Sequence, residues 1–141
     1  MSIKKKYKIG FTCGAFDLVH AGHMLMFKEA KEQCEFLIIG LQDNPNIDRP
    51  DKHKPIQSLE ERKIVLMGIR YIDLIVYYKT EKDLYELLKL IQDSIDIRIV
   101  GKDWKGKKFT GYDLPIKIYF NSRNHNYSSS ELRKRIIKQS K

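Results

Sequence analysis

Residues 10–23 read GFTCGAFDLVHAGH, and this stretch decides the fold. The apolar residues before Gly14 alternate as in a β-strand, and the pattern changes to that of a helix near Gly22. Two histidines, His20 and His23, flank Gly22 at the predicted helix start, where free N–H groups and the helix dipole attract anions. We predict that this helix start and its imidazoles bind a phosphate. The alternative is a plain strand–loop–helix junction with two solvent-facing histidines.

Length and charge limit the function classes. The chain has 141 residues, of which 42% are hydrophobic, and we predict one domain over residues 1–141. Its 27 Lys and Arg exceed its 18 Asp and Glu, for a net charge of +9. This excess favours anionic partners: nucleotides, phosphorylated metabolites, nucleic acid or an acidic membrane surface. No segment is apolar enough to span a bilayer, so we expect no membrane partner.

The cysteines indicate a cytoplasmic setting. Cys13 is predicted at the end of a buried strand and Cys34 near the end of the first helix, as two reduced thiols. No further Cys or His pair has metal-ligand spacing, which argues against zinc. The basic residues 1–6 precede a strand, so we interpret them as a lead-in to it rather than as a secretory signal.

Strand and helix patterns alternate along the chain. Strands are predicted at 7–13, 36–41, 72–78, 97–100 and 116–120, with helices at 22–33 and 58–69 and others beginning near Thr80 and Ser128. Strands separated by helices predict an α/β fold, a Rossmann-like five-stranded parallel sheet with helices on both faces. Ligands bind such sheets beyond the carboxyl ends of the strands. The loops there are 13–23, 42–57, 101–112 and 121–130.

Four motifs in these loops resemble those of a known family. They are residues 14–23, residues 61–63 with 69–73, residues 100–104, and Arg123 with the serines at 128–130. The chain resembles the small cytidylyltransferases, and most closely the glycerol-3-phosphate cytidylyltransferases, over about residues 9–137. The resemblance implies a nucleotidyltransferase fold, a homodimer, Mg²⁺, and transfer of CMP from CTP to a small phosphorylated alcohol with release of pyrophosphate.

The resemblance also implies site residues. The catalytic groups would be His20, His23, Lys54 and Arg123, with the imidazoles on the triphosphate. The residues implied to bind the nucleotide are Cys13, Gly14, Ala15, Phe16, Gly22, Lys52, Arg62, Arg70, Gly101, Asp103, Trp104, Tyr127, Ser128, Ser129 and Ser130. No metal ligand is assigned. Asp17 is as well explained by capping the turn as by contacting a ligand, and surface salt bridges remain an alternative for Arg62 and Arg70.

The proposed chemistry suits a site without a nucleophile–base pair. A phosphate monoester is already a nucleophile at neutral pH, so catalysis reduces to positioning and to stabilising charge at the α-phosphorus. Three departures from the family pattern leave the substrates open: Lys102, residues 124–127, and Leu87 in place of a lysine. An adenylyltransferase that uses ATP with a phosphosugar or FMN is therefore an alternative. A basic nucleic-acid-binding module, with tyrosines that stack on bases, is a more distant one.

Overall fold

The computed structural model describes residues 5–140, so most of the basic lead-in, residues 1–4, lies outside the described part, as does residue 141. Residues 5–140 contain five strands and four α-helices. The strands are β1 (Tyr7–Gly14), β2 (Cys34–Gln42), β3 (Leu74–Tyr78), β4 (Ile97–Gly101) and β5 (Ile118–Asn121). The helices are α1 (Ala21–Gln33), α2 (Leu59–Met67), α3 (Glu81–Ile91) and α4 (Ser129–Gln139), with 3₁₀ turns at Pro45–Ile47 and Lys102–Trp104.

The five strands form one parallel sheet in the order β3-β2-β1-β4-β5. The Rossmann-like prediction is therefore confirmed. The chain builds outward from β1 through β2 to β3, then crosses to β4 and β5 on the other side. The strand order thus reverses between β1 and β4, and a crevice is expected outside their carboxyl ends.

Each face of the sheet is covered by its own apolar layer. On one face, Phe27 and Ala30 of α1 pack with Leu66 of α2 against β2 and β4 residues. On the other, Leu84 and Leu88 of α3 pack against Phe11, Tyr78, Ile95 and Ile116. The predicted apolar stripe of α3 therefore faces the core, as expected. Its burial stabilises the fold because it removes apolar surface from water.

Side-chain caps fix where the helices begin. The predicted capping box of α2 is present: Glu61 N–H donates to Ser58 Oγ at 3.1 Å, and Ser58 N–H donates to Glu61 Oε1 at 2.9 Å. Thr80 and Asp83 cap α3 in the same way. At α4 half of the predicted box forms, with Glu131 N–H donating to Ser128 Oγ at 3.1 Å.

Several predicted boundaries were wrong. Cys34 lies at the end of α1 as predicted, but β2 begins at Cys34 rather than residue 36, because the helix passes into the strand without a loop and buries the Cys34 thiol against Gly10. β3 begins at Leu74 rather than residue 72, since Asp73 turns the chain and accepts a hydrogen bond from Leu37 N–H at 2.8 Å. β5 begins at Ile118 rather than residue 116. In the described part of the chain, no helix is long and apolar enough to cross a bilayer.

Candidate active site

The two histidines of the opening motif cap α1 with their own side chains. Gly22 N–H donates to His20 Nδ1 at 3.0 Å, and His20 N–H donates to His23 Nδ1 at 3.1 Å. The pair therefore forms a capping box built from imidazoles in place of the usual hydroxyl and carboxylate. The ring centroids lie 4.1 Å apart. Backbone contacts therefore hold both rings at the N-terminus of α1, and these contacts do not depend on a ligand.

These contacts fix the chemical state of the rings. A nitrogen that accepts a backbone N–H carries no proton, so each neutral ring carries its proton on Nε2. Burial and the neighbouring His20 lower the pKa of His23 to about 4. Burial, followed by the charges of His125 and Arg123, lowers the pKa of His20. Both imidazoles are therefore neutral near pH 7, and each has an Nε2–H available to donate.

The serine-rich end of the chain borders the same cavity. The cavity measures about 290 Å³ and is lined by His20, His23, Arg123 and the N-terminus of α4. Ser128 is the N-cap of α4, so the N-termini of α1 and α4 both border this space. Helix N-termini, an arginine and imidazole N–H groups are all groups that attract anions. We call this space the α1-side cavity.

A third imidazole, His125, was missed by the sequence-based assignment. It lines the α1-side cavity and accepts Tyr127 N–H on Nδ1 at 3.1 Å, which repeats the arrangement of His20 and His23. A Cβ added at Gly22 would lie 2.8 Å from His20 and 3.0 Å from His125. Gly22 is therefore required for the rings to meet. The sequence offered one sign of this role, a histidine within residues 124–127, the segment that departs from the family pattern.

A larger cavity of about 480 Å³ lies at the carboxyl edge of the sheet beside α3. It is lined by the predicted residues Cys13, Gly14, Ala15, Lys52 and Trp104. We call it the α3-side cavity. Among residues 5–140, Gly101 alone borders both cavities. The remaining predicted residues of the α1-side cavity are Asp103, Tyr127, Ser128 and Ser129.

Arg62 is buried in the scaffold, contrary to the predicted contact with the nucleotide. It is 2% exposed, and its guanidinium donates to main-chain carbonyls at the ends of β1 and β2 and at the start of α2. Asp17 beside it accepts Ile56 N–H at 2.8 Å and Gln57 N–H at 2.9 Å, so it holds the loop before α2 rather than capping its own turn. These residues hold together the loops around the cavities.

Four more predicted residues line neither cavity. Arg70 follows the end of α2, and its guanidinium packs on the Tyr71 ring at 5.0 Å. Lys54 is exposed in the loop, while Phe16 is buried in the core against Phe27 with φ at 50°. Ser130 lies within α4.

The described residues include no group of three or more His, Cys, Asp or Glu side chains that could hold a metal ion. In the α1-side cavity the lining carboxylate is Asp103, which is paired with Arg123 at 3.0 Å. Mg²⁺ prefers several waters and phosphate oxygens over a cage of protein ligands. These residues therefore suit a metal that arrives on a triphosphate.

Comparison with known proteins places these features in one family. A family model described as cytidylyltransferase-like matches residues 11–135. Similar curated proteins include the bifunctional protein HldE of Wolinella succinogenes, 37% identical over 79% of this chain and 23% of that protein. The HldE of Campylobacter concisus is 32% identical over 84% of this chain and 25% of that protein. The chain spans about a quarter of the length of these relatives.

Solved structures share the fold at lower identity. A lipopolysaccharide core biosynthesis protein from Thermoplasma volcanium superposes with a TM-score of 0.68 at 22% identity, covering 84% of this chain and 99% of that one. A pantoate-beta-alanine ligase from Francisella tularensis gives 0.54 at 21% identity, covering 94% of this chain and 70% of that one. From the match to residues 11–135 and the HldE relatives, the chain belongs to the cytidylyltransferase-like family of nucleotidyltransferases.

Proposed function

We propose that the chain is an adenylyltransferase that transfers AMP from ATP to a sugar phosphate. The observation that carries this is the pair of neutral imidazoles at the N-terminus of α1, which border one cavity with Arg123 and the N-terminus of α4. The triphosphate occupies that cavity. The Nε2–H groups of His20 and His23 donate to its oxygens, and Arg123 offsets its charge.

The reaction needs no protein nucleophile. An oxygen of the acceptor phosphate attacks the α-phosphorus of ATP, the bond to the bridging oxygen of the β-phosphate breaks, and pyrophosphate leaves with that electron pair. The charge that builds on the transferring group lies against preformed N–H donors, which need no reorganisation during the step. Positioning of the two phosphates supplies the remaining acceleration.

ATP replaces the CTP expected from the resemblance to glycerol-3-phosphate cytidylyltransferases. The HldE relatives reported above support the alternative donor, because they suggest an adenylyltransferase domain. The Francisella ligase, which shares the fold, was solved with a β,γ-analogue of ATP. The name of the Thermoplasma neighbour refers to lipopolysaccharide core synthesis, which supports a sugar as the acceptor backbone.

The partners follow from this assignment. ATP enters with Mg²⁺ on its phosphates, and the sugar phosphate occupies the α3-side cavity, whose edge at Gly101 adjoins the nucleotide. Use of ATP agrees with the cytoplasmic setting predicted from the free thiols of Cys13 and Cys34. We also propose a homodimer. α2 leaves Ile64 62% and Met67 67% exposed, three residues apart on one helix face.

A pyrophosphate-release assay tests the proposal. Purified protein with Mg²⁺ is given ATP or CTP, each crossed with glycerol 3-phosphate and a panel of sugar phosphates. We expect release with ATP and a sugar phosphate. Release with CTP and glycerol 3-phosphate alone would overturn the donor and acceptor proposed, and no release from any combination would overturn the enzymatic proposal. Salt-sensitive binding of single-stranded DNA without turnover would support the nucleic-acid alternative.

A further inference from the structure

The α3-side cavity carries an unbalanced positive charge. Its charged lining residues are Arg49, Lys52, Arg98, Lys108 and the carboxylate Glu81. Glu81 is already occupied, because it pairs with Arg49 at 3.3 Å and accepts the Thr110 hydroxyl at 2.9 Å. The cavity therefore holds several cations that its own acid does not neutralise, and such a space favours an anionic occupant.

Arg98 is the least expected of these cations, because it lies in β4, an inner strand of the sheet that is otherwise apolar up to Gly101. It is 4% exposed, and its guanidinium packs over the Phe109 ring at 5.2 Å. One Nη donates to the Thr110 carbonyl, and the other lies 3.7 Å from Cys13 Sγ, a weak acceptor.

The third nitrogen of the guanidinium has no partner among the described residues. Arg98 Nε is buried without a partner, and no carboxylate among residues 5–140 lies within salt-bridge distance of the guanidinium. A buried charge without a counter-charge is costly to the fold. A bound carboxylate or phosphate would remove that cost, since both match the planar donor edge of a guanidinium.

We expect the phosphate that attacks ATP to be a different group from the one that Arg98 binds. That phosphate must lie within about 3.5 Å of the α-phosphorus, next to the imidazoles of the α1-side cavity. His20 and His23 belong to α1, on the sheet face opposite to the one on which Arg98 packs with Cys13, and the two cavities share Gly101 as their common border. The placement of the imidazoles and of Arg98 on opposite faces of the sheet argues that they bind different groups.

We propose that Arg98 binds a second anionic group of the acceptor, a carboxylate or a second phosphate, distant from the phosphate that reacts. This inference rests on the proposed function, because it assigns the α3-side cavity to the acceptor. It narrows the acceptor class from sugar phosphates in general to sugar phosphates that carry an additional negative charge.

Binding to the wild-type chain tests this without any turnover. Trp104, the single tryptophan, lines the cavity, so its fluorescence reports occupancy. The ligands are glucose 1-phosphate, glucuronic acid 1-phosphate and glucose 1,6-bisphosphate, which differ at one carbon. We expect at least one of the two ligands with a second anionic group to bind about tenfold more tightly than glucose 1-phosphate. Which of them does so distinguishes a carboxylate from a second phosphate. Equal affinities for all three would overturn the proposal.

Two variants then assign the effect to Arg98. Arg98→Gln keeps hydrogen-bond donors but removes the charge, and Arg98→Leu removes both. The control is Lys134→Gln, which removes one positive charge at an exposed position of α4. We expect both Arg98 variants to remove the preference for the second anion while ATP affinity stays unchanged, and Lys134→Gln to keep the preference. Loss of ATP affinity in Arg98→Gln would place Arg98 in the nucleotide site and overturn the proposal. If neither variant folds by circular dichroism, the wild-type ligand series decides.

The test of Arg98 can succeed or fail independently of whether ATP is the nucleotide donor. A chain that uses CTP in place of ATP would still show the Trp104 response and the Arg98-dependent preference. A chain that adenylylates sugar phosphates with and without a second anionic group equally well would retain the proposed function and contradict this inference.

Discussion

At the scale of single residues, the proposed site depends on which nitrogen of each imidazole is committed to the backbone. His20 and His23 each use Nδ1 to accept the backbone N–H that caps α1, which leaves Nε2 to contact a ligand. Structural stabilisation and ligand binding therefore involve different atoms of each ring. The two roles can therefore be separated by substitution. This is uncommon for a capping residue, whose polar atom is usually consumed by the cap.

The variants His20→Asn and His23→Gln exploit this separation. Asn is a preferred N-cap residue and Gln is the usual capping-box partner at the third helical position, so both preserve acceptors for the backbone. We expect unchanged melting temperatures and a rate of pyrophosphate release lower by about 10²–10³-fold for each. His53→Asn, in an exposed loop, is the matched control and keeps full activity. Full activity in His23→Gln would contradict a role for that ring in the reaction.

At the scale of secondary-structure elements, Arg62 joins the ends of β1 and β2 to the start of α2. Its guanidinium satisfies main-chain carbonyls of Ala15, Gln42, Asp43, Gln57 and Ser58. These segments form one side of the crevice, so its geometry depends on a residue that does not line the cavities. The role is structural rather than a direct contact with nucleotide.

Arg62→Leu should therefore unfold the chain more easily rather than merely weaken nucleotide binding. Buried and partly buried carbonyls lose a donor, at about 1–3 kcal/mol for a fully buried one, so we expect about 3 kcal/mol lower stability in urea titrations. Arg70→Leu, which removes an exposed guanidinium stacked on Tyr71, should change stability by about 0.5 kcal/mol or less. Wild-type stability of Arg62→Leu combined with a raised KM for ATP would restore the role in nucleotide binding.

The elements themselves could be predicted because their patterns are local. The apolar stripe of α3, the Ser58–Glu61 cap and the strand preceding Gly14 each follow from neighbouring residues, and so does the parallel sheet. The errors concern long-range contacts. Nothing near Arg62 in sequence shows that the carbonyls it binds end two different strands, and nothing near Arg98 shows that a strand arginine borders a cavity. His125 could not be predicted as a residue of the α1-side cavity, because the sequence does not show that α4 begins opposite the start of α1.

At the scale of the whole molecule, the exposed apolar face of α2 carries the proposed homodimer. We expect light scattering to give twice the chain mass of 16.7 kDa for the wild type. Met67→Lys places a charge where the proposed interface excludes water, so it should give a monomer with unchanged circular dichroism. Lys134→Gln is the control. A monomeric wild type at assay concentrations would contradict the homodimer.

At the proposed site two neutral imidazoles, protonated on Nε2, bind the triphosphate. Nitrogen-15 NMR of the four histidines, with and without the β,γ-imido analogue of ATP and Mg²⁺, tests this directly. At about pH 5.5, one unit below the ordinary histidine pKa, we expect His23 to remain neutral, because its pKa is lowered to about 4. On addition of the analogue near pH 7, the Nε2–H signals of His20 and His23 should shift while those of His53 stay in place. A charged His23 at that lower pH, or signals of His20 and His23 that do not respond to the analogue, would contradict the account.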